Sequence, residues 1–131
     1  MKTRSKIVLD TEPEKPYITL MKMKIEFIAD CIHLLNIERP LDLTISQVVN
    51  DWDAQYQDMG RRHEVRVSPR AARCRLSLIA HELVHASVGE SHPHASDHGR
   101  VFKRTAKRLQ KQLTQIGWKL HDKIYIKGVD L

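Results

Sequence analysis

Leu78-Ile79-Ala80-His81-Glu82-Leu83-Val84-His85 sets the reading of the whole chain. On a helix, His81 and His85 stand one turn apart on one face, with Cβ atoms about 5–6 Å apart. Two imidazoles at that separation can converge on one tetrahedral ion, with Zn–N distances of about 2.0–2.1 Å. Glu82 follows the first of them, within reach of a water on the same ion. The His-Glu-x-x-His spacing therefore marks His81 and His85 as candidate zinc ligands and Glu82 as a candidate general base. The helix itself is bounded by Ser68-Pro69, a good N-cap followed by proline at the first helical position, and by Gly89 as terminator. Between these bounds it is apolar nearly all round. Leu76, Ile79, Leu83 and Ala86 lie opposite the histidine face, which also carries Cys74 and Leu78. A helix buried on both sides is where two unpartnered histidines would cost most, and that favours a metal.

Upstream, residues 1–16 are polar, carry Pro13 and Pro16, and predict an extended arm whose Ile7-Val8-Leu9 can dock on the body. A helix is expected from about Pro16 to Asn36, with Leu20, Phe27, Cys31 and Leu35 at helical spacing; Arg39-Pro40 is expected to end it. His33 lies on this helix without any companion for chemistry. From Leu41 the period changes to two, with Leu41, Leu43 and Ile45 alternating with Asp42, Thr44 and Ser46. That predicts a half-buried strand. A second strand is expected over 53–57, a turn at Asp58-Met59-Gly60-Arg61, and a third strand over His63–Val67, the three forming a small meander. The fold class is thus α+β, with a small three-stranded sheet packed on about three helices.

Downstream, Glu90-Ser91-His92-Pro93-His94-Ala95-Ser96-Asp97 reads as a polar loop. A last helix is expected from Asp97 or His98 to Ile116. Phe102, Ala106, Leu109, Leu113 and Ile116 form its apolar seam, and His98 projects within about 40° of Phe102 on the same side. A catalytic zinc needs a third protein ligand and an open position. Residues 98–121 contain no Asp or Glu, which sets aside a glutamate ligand on the following helix. The metzincin pattern needs Gly and His where Val88 and Ser91 stand. His98, His94, His92, Asp97 and Glu90 remain as candidates. His98 is preferred because a helix would hold it and because Gly99 lets backbone approach closely.

Composition bounds the rest. The 131 residues suit one domain, and no apolar run is long enough for a membrane span or a signal peptide. The two cysteines, Cys31 and Cys74, are far apart and predict buried free thiols in a reducing, cytoplasmic setting. The net charge of +6 is concentrated in residues 98–131, which hold nine Lys/Arg against two Asp. Arg100, Lys103, Arg104, Lys107, Arg108 and Lys111 share the outer face of the last helix and are candidate nucleic-acid contacts.

The His81-Glu82-Leu83-Val84-His85-Ala86 core, followed by His98-Gly99-x-x-Phe102-Lys103, resembles the SprT-like zinc metallopeptidase family, the Spartan type of zincin. The resemblance covers roughly residues 20–120. It implies a compact zincin-like domain, zinc on His81, His85 and His98, and Glu82 as catalytic base. It also implies an edge strand ahead of the motif helix that pairs with extended substrate, a place taken here by His63–Val67. Many members carry a C-terminal four-cysteine zinc module. With two cysteines and an end at Leu131, the expectation is a short stand-alone bacterial or phage-type member, 1–131 as a single domain, without that zinc ribbon.

Two functions follow as expectations. The first is a zinc metalloendopeptidase acting on a protein or peptide substrate, in which Glu82 takes a proton from the attacking water. His63, His121 and Tyr125 are its candidate oxyanion partners. The second is a nucleic-acid-binding module with a structural or vestigial zinc, meeting DNA through the basic face of the last helix and requiring no carboxylate at residue 82.

Overall fold

Leu41, Leu43, Val65 and Val67, which alternate with polar residues along two strands, are all fully buried. A computed structural model describes residues 6–9, 15–45, 54–68, 76–120 and 122–124 of the chain. In order these form β1 (Lys6–Leu9), α1 (Lys15–Leu35), β2 (Leu41–Ile45), β3 (Ala54–Asp58), β4 (His63–Val67), α2 (Leu76–Ser91) and α3 (Arg100–Gln115). The class is α+β, a small mixed sheet packed on helices.

The sheet order is β1-β2-β4-β3. The three expected strands are present, and the N-terminal arm adds β1, which pairs parallel with β2 from Lys6↔Asp42 to Leu9↔Ile45. They do not form a meander. β4 inserts between β2 and β3, parallel to β2 with Leu43 opposite Val65 and antiparallel to β3 with Tyr56 opposite Val65. The expectation that His63–Val67 is the edge is therefore corrected: β4 is internal, and β3 is the outer strand beside α2 among the described residues. The physical reason lies in burial. β4 turns His63, Val65 and Val67 wholly inward, which suits a central strand, whereas Gln55, Gln57 and Asp58 of β3 are exposed. The β3–β4 turn closes on Gly60 at φ 86°, with its N–H donated to Asp58 Oδ1 at 2.8 Å.

Helix ends obey local chemistry more closely than the sequence reading allowed. α1 stops before Arg39-Pro40, because Asn36 takes a left-handed φ of 57°. Its N–H and that of Ile37 then return to His33 O and Ile32 O, at 3.2 Å each, a Schellman cap. α3 ends the same way at Gly117, φ 104°, with Trp118 N–H on Leu113 O at 3.0 Å. Ile116 thus falls at the C-cap and is exposed rather than part of the seam. Trp118 folds back edge-on to Phe27, centroids 5.1 Å apart, and donates its indole N–H to Asp30 at 2.8 Å. Gly89 does not end α2, which runs on to Ser91. Residues 69–75, and with them Cys74 and the helix start at Pro69, lie outside the described residues, as do Asp53, His121 and Tyr125.

The core gathers Phe27, Ile28, Cys31 and Leu35 from α1, Ile79 and Leu83 from α2, and Phe102, Leu109 and Leu113 from α3. Each large apolar side chain fully buried contributes about 1.5–3 kcal/mol. α2 is the central helix: nearly every side chain from Ser77 to Val88 is buried, which is why its sequence is apolar all round. Burial pushes the Cys31 thiol far up, so this cysteine is an inert core residue. No helix among the described residues is long and apolar enough to cross a membrane.

Candidate metal centre

His81 and His85 project from the middle of α2, and His98 reaches them from the turn before α3. Contrary to expectation, the third histidine is not on the helix but directly precedes the N-cap residue Gly99. What fixes it is the turn itself. Gly99 N–H bonds Ser96 O at 3.2 Å and Lys103 N–H bonds Gly99 O at 3.0 Å. A Cβ on Gly99 would collide with Ser96 Oγ and fall 3.3 Å from Ser96 Cβ, so the close packing requires glycine here or a shift of Ser96.

The ligand atoms of His81, His85 and His98 all lie within 4.8 Å of one another, and among the described residues they form the one group of His, Cys, Asp or Glu gathered in this way. His81 Nε2 and His98 Nε2 are 3.2 Å apart. Two nitrogens on a tetrahedral ion with bonds of about 2.0–2.1 Å would stand about 3.3–3.4 Å apart. The widest allowed separation, 4.8 Å, closes to that value with side-chain movements of order 1 Å or less. Three imidazoles brought together suit a divalent transition metal.

Outer contacts orient the rings as a metal centre requires. His81 is fully buried, and its Nδ1–H donates to the carbonyl of Ile124 at 2.9 Å. A carbonyl can only accept, so the neutral ring carries its proton on Nδ1 and directs the lone pair of Nε2 toward His98. Asp97 stands 3.4 Å from His85 Nδ1 and 3.9 Å from His98 Nδ1, a carboxylate shared by two candidate ligands. Phe102, in the first turn of α3, touches all three rings, with centroids 4.8, 4.5 and 4.9 Å from those of His81, His85 and His98. It forms an apolar floor that strengthens polar interactions above it. Glu82 is buried, 6% exposed, and follows His81 directly along α2.

The other candidates for third ligand are placed elsewhere. His92 and His94 are exposed on the loop after α2, and Asp97 sits outside the ring nitrogens. Glu90 is engaged at the far end of α2. It accepts the N–H groups of Glu38 at 2.8 Å and Arg39 at 2.9 Å and the Nε2–H of His63 at 2.6 Å. Burial pushes the Glu90 carboxyl up, but these hydrogen bonds outweigh it and hold it below its ordinary value. His63, an expected oxyanion partner, is wholly buried and held between Glu90 and the Tyr56 hydroxyl, 2.8 Å from its Nδ1. Burial lowers its pKa despite Glu90, so it is a neutral structural histidine rather than a group facing the centre.

Tyr56 is the residue that sequence reasoning missed. Its ring stacks on His85 with centroids 5.9 Å apart and planes 12° from parallel. The one signal available was its position at the centre of a short polar strand just ahead of the motif helix. Compared with protein-family models, with curated proteins and with solved structures, the chain matches none.

Proposed function

We propose that the chain is a zinc-dependent metallopeptidase of the SprT-like, zincin kind, with His81, His85 and His98 holding the ion and Glu82 as general base. The observation that carries this reading is the approach of three imidazoles, from α2 and the turn before α3, beside a buried carboxylate next to the first of them. When bound, zinc supplies a polarised water and an electrophilic partner for the scissile carbonyl. Glu82 accepts the proton of the attacking water and returns it to the departing amine. Phe102 keeps the floor of the site apolar, while Ile124 O and Asp97 hold the histidines to their task. Extended substrate would lie along β3, the outer strand packed on α2, with antiparallel or parallel main-chain pairing giving affinity.

The test is cleavage of an unfolded protein substrate by wild type and by Glu82→Gln, with zinc content measured in both. Equal zinc with cleavage reduced by about two to four orders of magnitude is expected. Undiminished cleavage by Glu82→Gln would remove the mechanism.

A second reading is favoured by α3. Arg100, Arg104, Lys107, Arg108 and Lys111 are exposed and Lys103 is half-buried, and the helix has no acidic residue. This face would meet nucleic-acid phosphates as a row of point charges. With four contacts, log K should fall against log salt with a slope of about −3 to −4. Binding would be indifferent to sequence, since no aromatic side chain is interleaved for stacking. The two readings are compatible, because the metal centre lies on the other side of α3. A salt titration with short single- and double-stranded DNA tests the second; no binding at low salt leaves the face as solvated surface.

A further inference from the structure

A chain of hydrogen bonds runs from the α1–β2 turn to the metal centre, and each link fixes the next. Glu90 is anchored by the backbone N–H groups of Glu38 and Arg39, with the Arg39 guanidinium 3.7 Å away. A carboxylate only accepts, so His63 must present Nε2–H to it across 2.6 Å. The neutral ring then offers Nδ1 as acceptor, and the Tyr56 O–H donates there across 2.8 Å. His63 is wholly buried, so water does not compete for either nitrogen. A phenol is protonated at neutral pH, so the hydroxyl is available as a donor. The hydroxyl packs over α2, where a Cβ on Gly89 would meet it at 3.4 Å.

We infer that the Glu90–His63–Tyr56 chain sets the ring plane of His85, making Tyr56 a positioning residue for a metal ligand. The bond to His63 fixes the tip of the phenol. Because a phenol O–H prefers the plane of its ring, the direction of that bond favours one ring plane, and the His85 ring lies against it only 12° from parallel. The centroid separation of 5.9 Å falls within the range of favourable ring contacts. His85 thus meets Tyr56 on its ring, with the exposed Asp97 carboxylate 3.4 Å from its Nδ1. The inference rests on the metal-binding part of the proposed function and is independent of hydrolysis. A plain alternative is that the chain only ties β3, β4 and α2 together.

Cobalt(II) separates the two, since its visible absorption reports the geometry of its ligands. Metal-free wild type is titrated first with Co²⁺ and should bind one ion per chain; absence of binding would overturn the metal reading and this inference together. Tyr56→Phe keeps the ring and cuts its tether. Its Co²⁺ affinity should fall about tenfold, at the low end of the effect of outer contacts on metal sites, with a displaced absorption band and an unchanged far-UV spectrum. His63→Leu should do the same, and the double variant should be no worse than either single one, because both cut one chain. If His63→Leu does not fold, Tyr56→Phe alone decides. Wild-type affinity and an unmoved band in Tyr56→Phe, or additive losses in the double variant, would refute the positioning role.

Discussion

Replacing His98 by alanine tests whether the ion joins α2 to the turn before α3. The three ligand nitrogens come from two stretches that only the folded chain brings together, so zinc should bind the folded state in strong preference to the unfolded one. At free zinc of about 100 times Kd, such binding stabilises by about 2.7 kcal/mol. For a chain of this size, 1 kcal/mol moves Tm by roughly 3–4 °C, so wild type should gain roughly 8–11 °C. His98→Ala removes the partner that faces His81 Nε2 at 3.2 Å. Two ligands remain, affinity collapses, and at the same zinc concentration the gain should shrink to about 2 °C or less. His94→Ala serves as control, because His94 is exposed on the loop and should keep the full gain. The assay is thermal unfolding by circular dichroism with and without zinc. If His98→Ala kept the shift and His94→Ala lost it, the convergence described here would not be the metal site.

Glu90→Ala strips His63 Nε2–H and two backbone N–H groups of their acceptor; urea unfolding at neutral pH should show a loss of about 3–5 kcal/mol. For both Glu90 and His63 the folded pKa lies below the unfolded one. Their stabilisation is therefore complete above the unfolded values and is lost as pH falls. Wild-type stability should begin to decline below the ordinary histidine value of 6.5 and fall further below the carboxylate value of 4.5, the second decline being weaker in Glu90→Ala. Trp118→Phe keeps the edge contact with Phe27 but loses the bond to Asp30, and should lower stability by about 1 kcal/mol in the same assay. Reversing Lys103, Lys107 and Lys111 to Glu should abolish the salt-dependent DNA binding of the second reading while zinc content stays at the wild-type level; loss of zinc in that variant would contradict the separation of the two faces.

The helices and the strand faces were legible in the sequence because they depend on periodicity. His63, Val65 and Val67 alternate with Glu64 and Arg66 on either face of any sheet, whichever strands lie beside them. Strand order was not legible, since no residue in β4 states whether its neighbours are β2 and β3 or β3 alone. The His81/His85 pair was legible because a helix fixes the geometry of residues four apart. His98 was placed on the correct side for a partly mistaken reason: the turn closed by Ser96 and Gly99, not a helical position, aims it inward. Tyr56, Asp97 and Ile124 act on the histidines through space, from 29 residues before His85 to 43 residues after His81, and no local pattern encodes such contacts. Gly89 misled because tertiary packing carries a helix through a glycine that local propensity alone would make its end.

The bond from His81 to the Ile124 carbonyl also fixes an order of events in synthesis. A ribosome delivers the chain from its N-terminus, so both histidines of α2 are made well before residue 124. Until that residue arrives, the His81 ring lacks the acceptor that selects its tautomer, and either nitrogen can take the proton. A nascent chain therefore presents the metal with a His81 ring whose tautomer is undecided. Completion of the centre waits for the last described segment to emerge and dock, where Gln110 Oε1 also receives the Ile124 N–H.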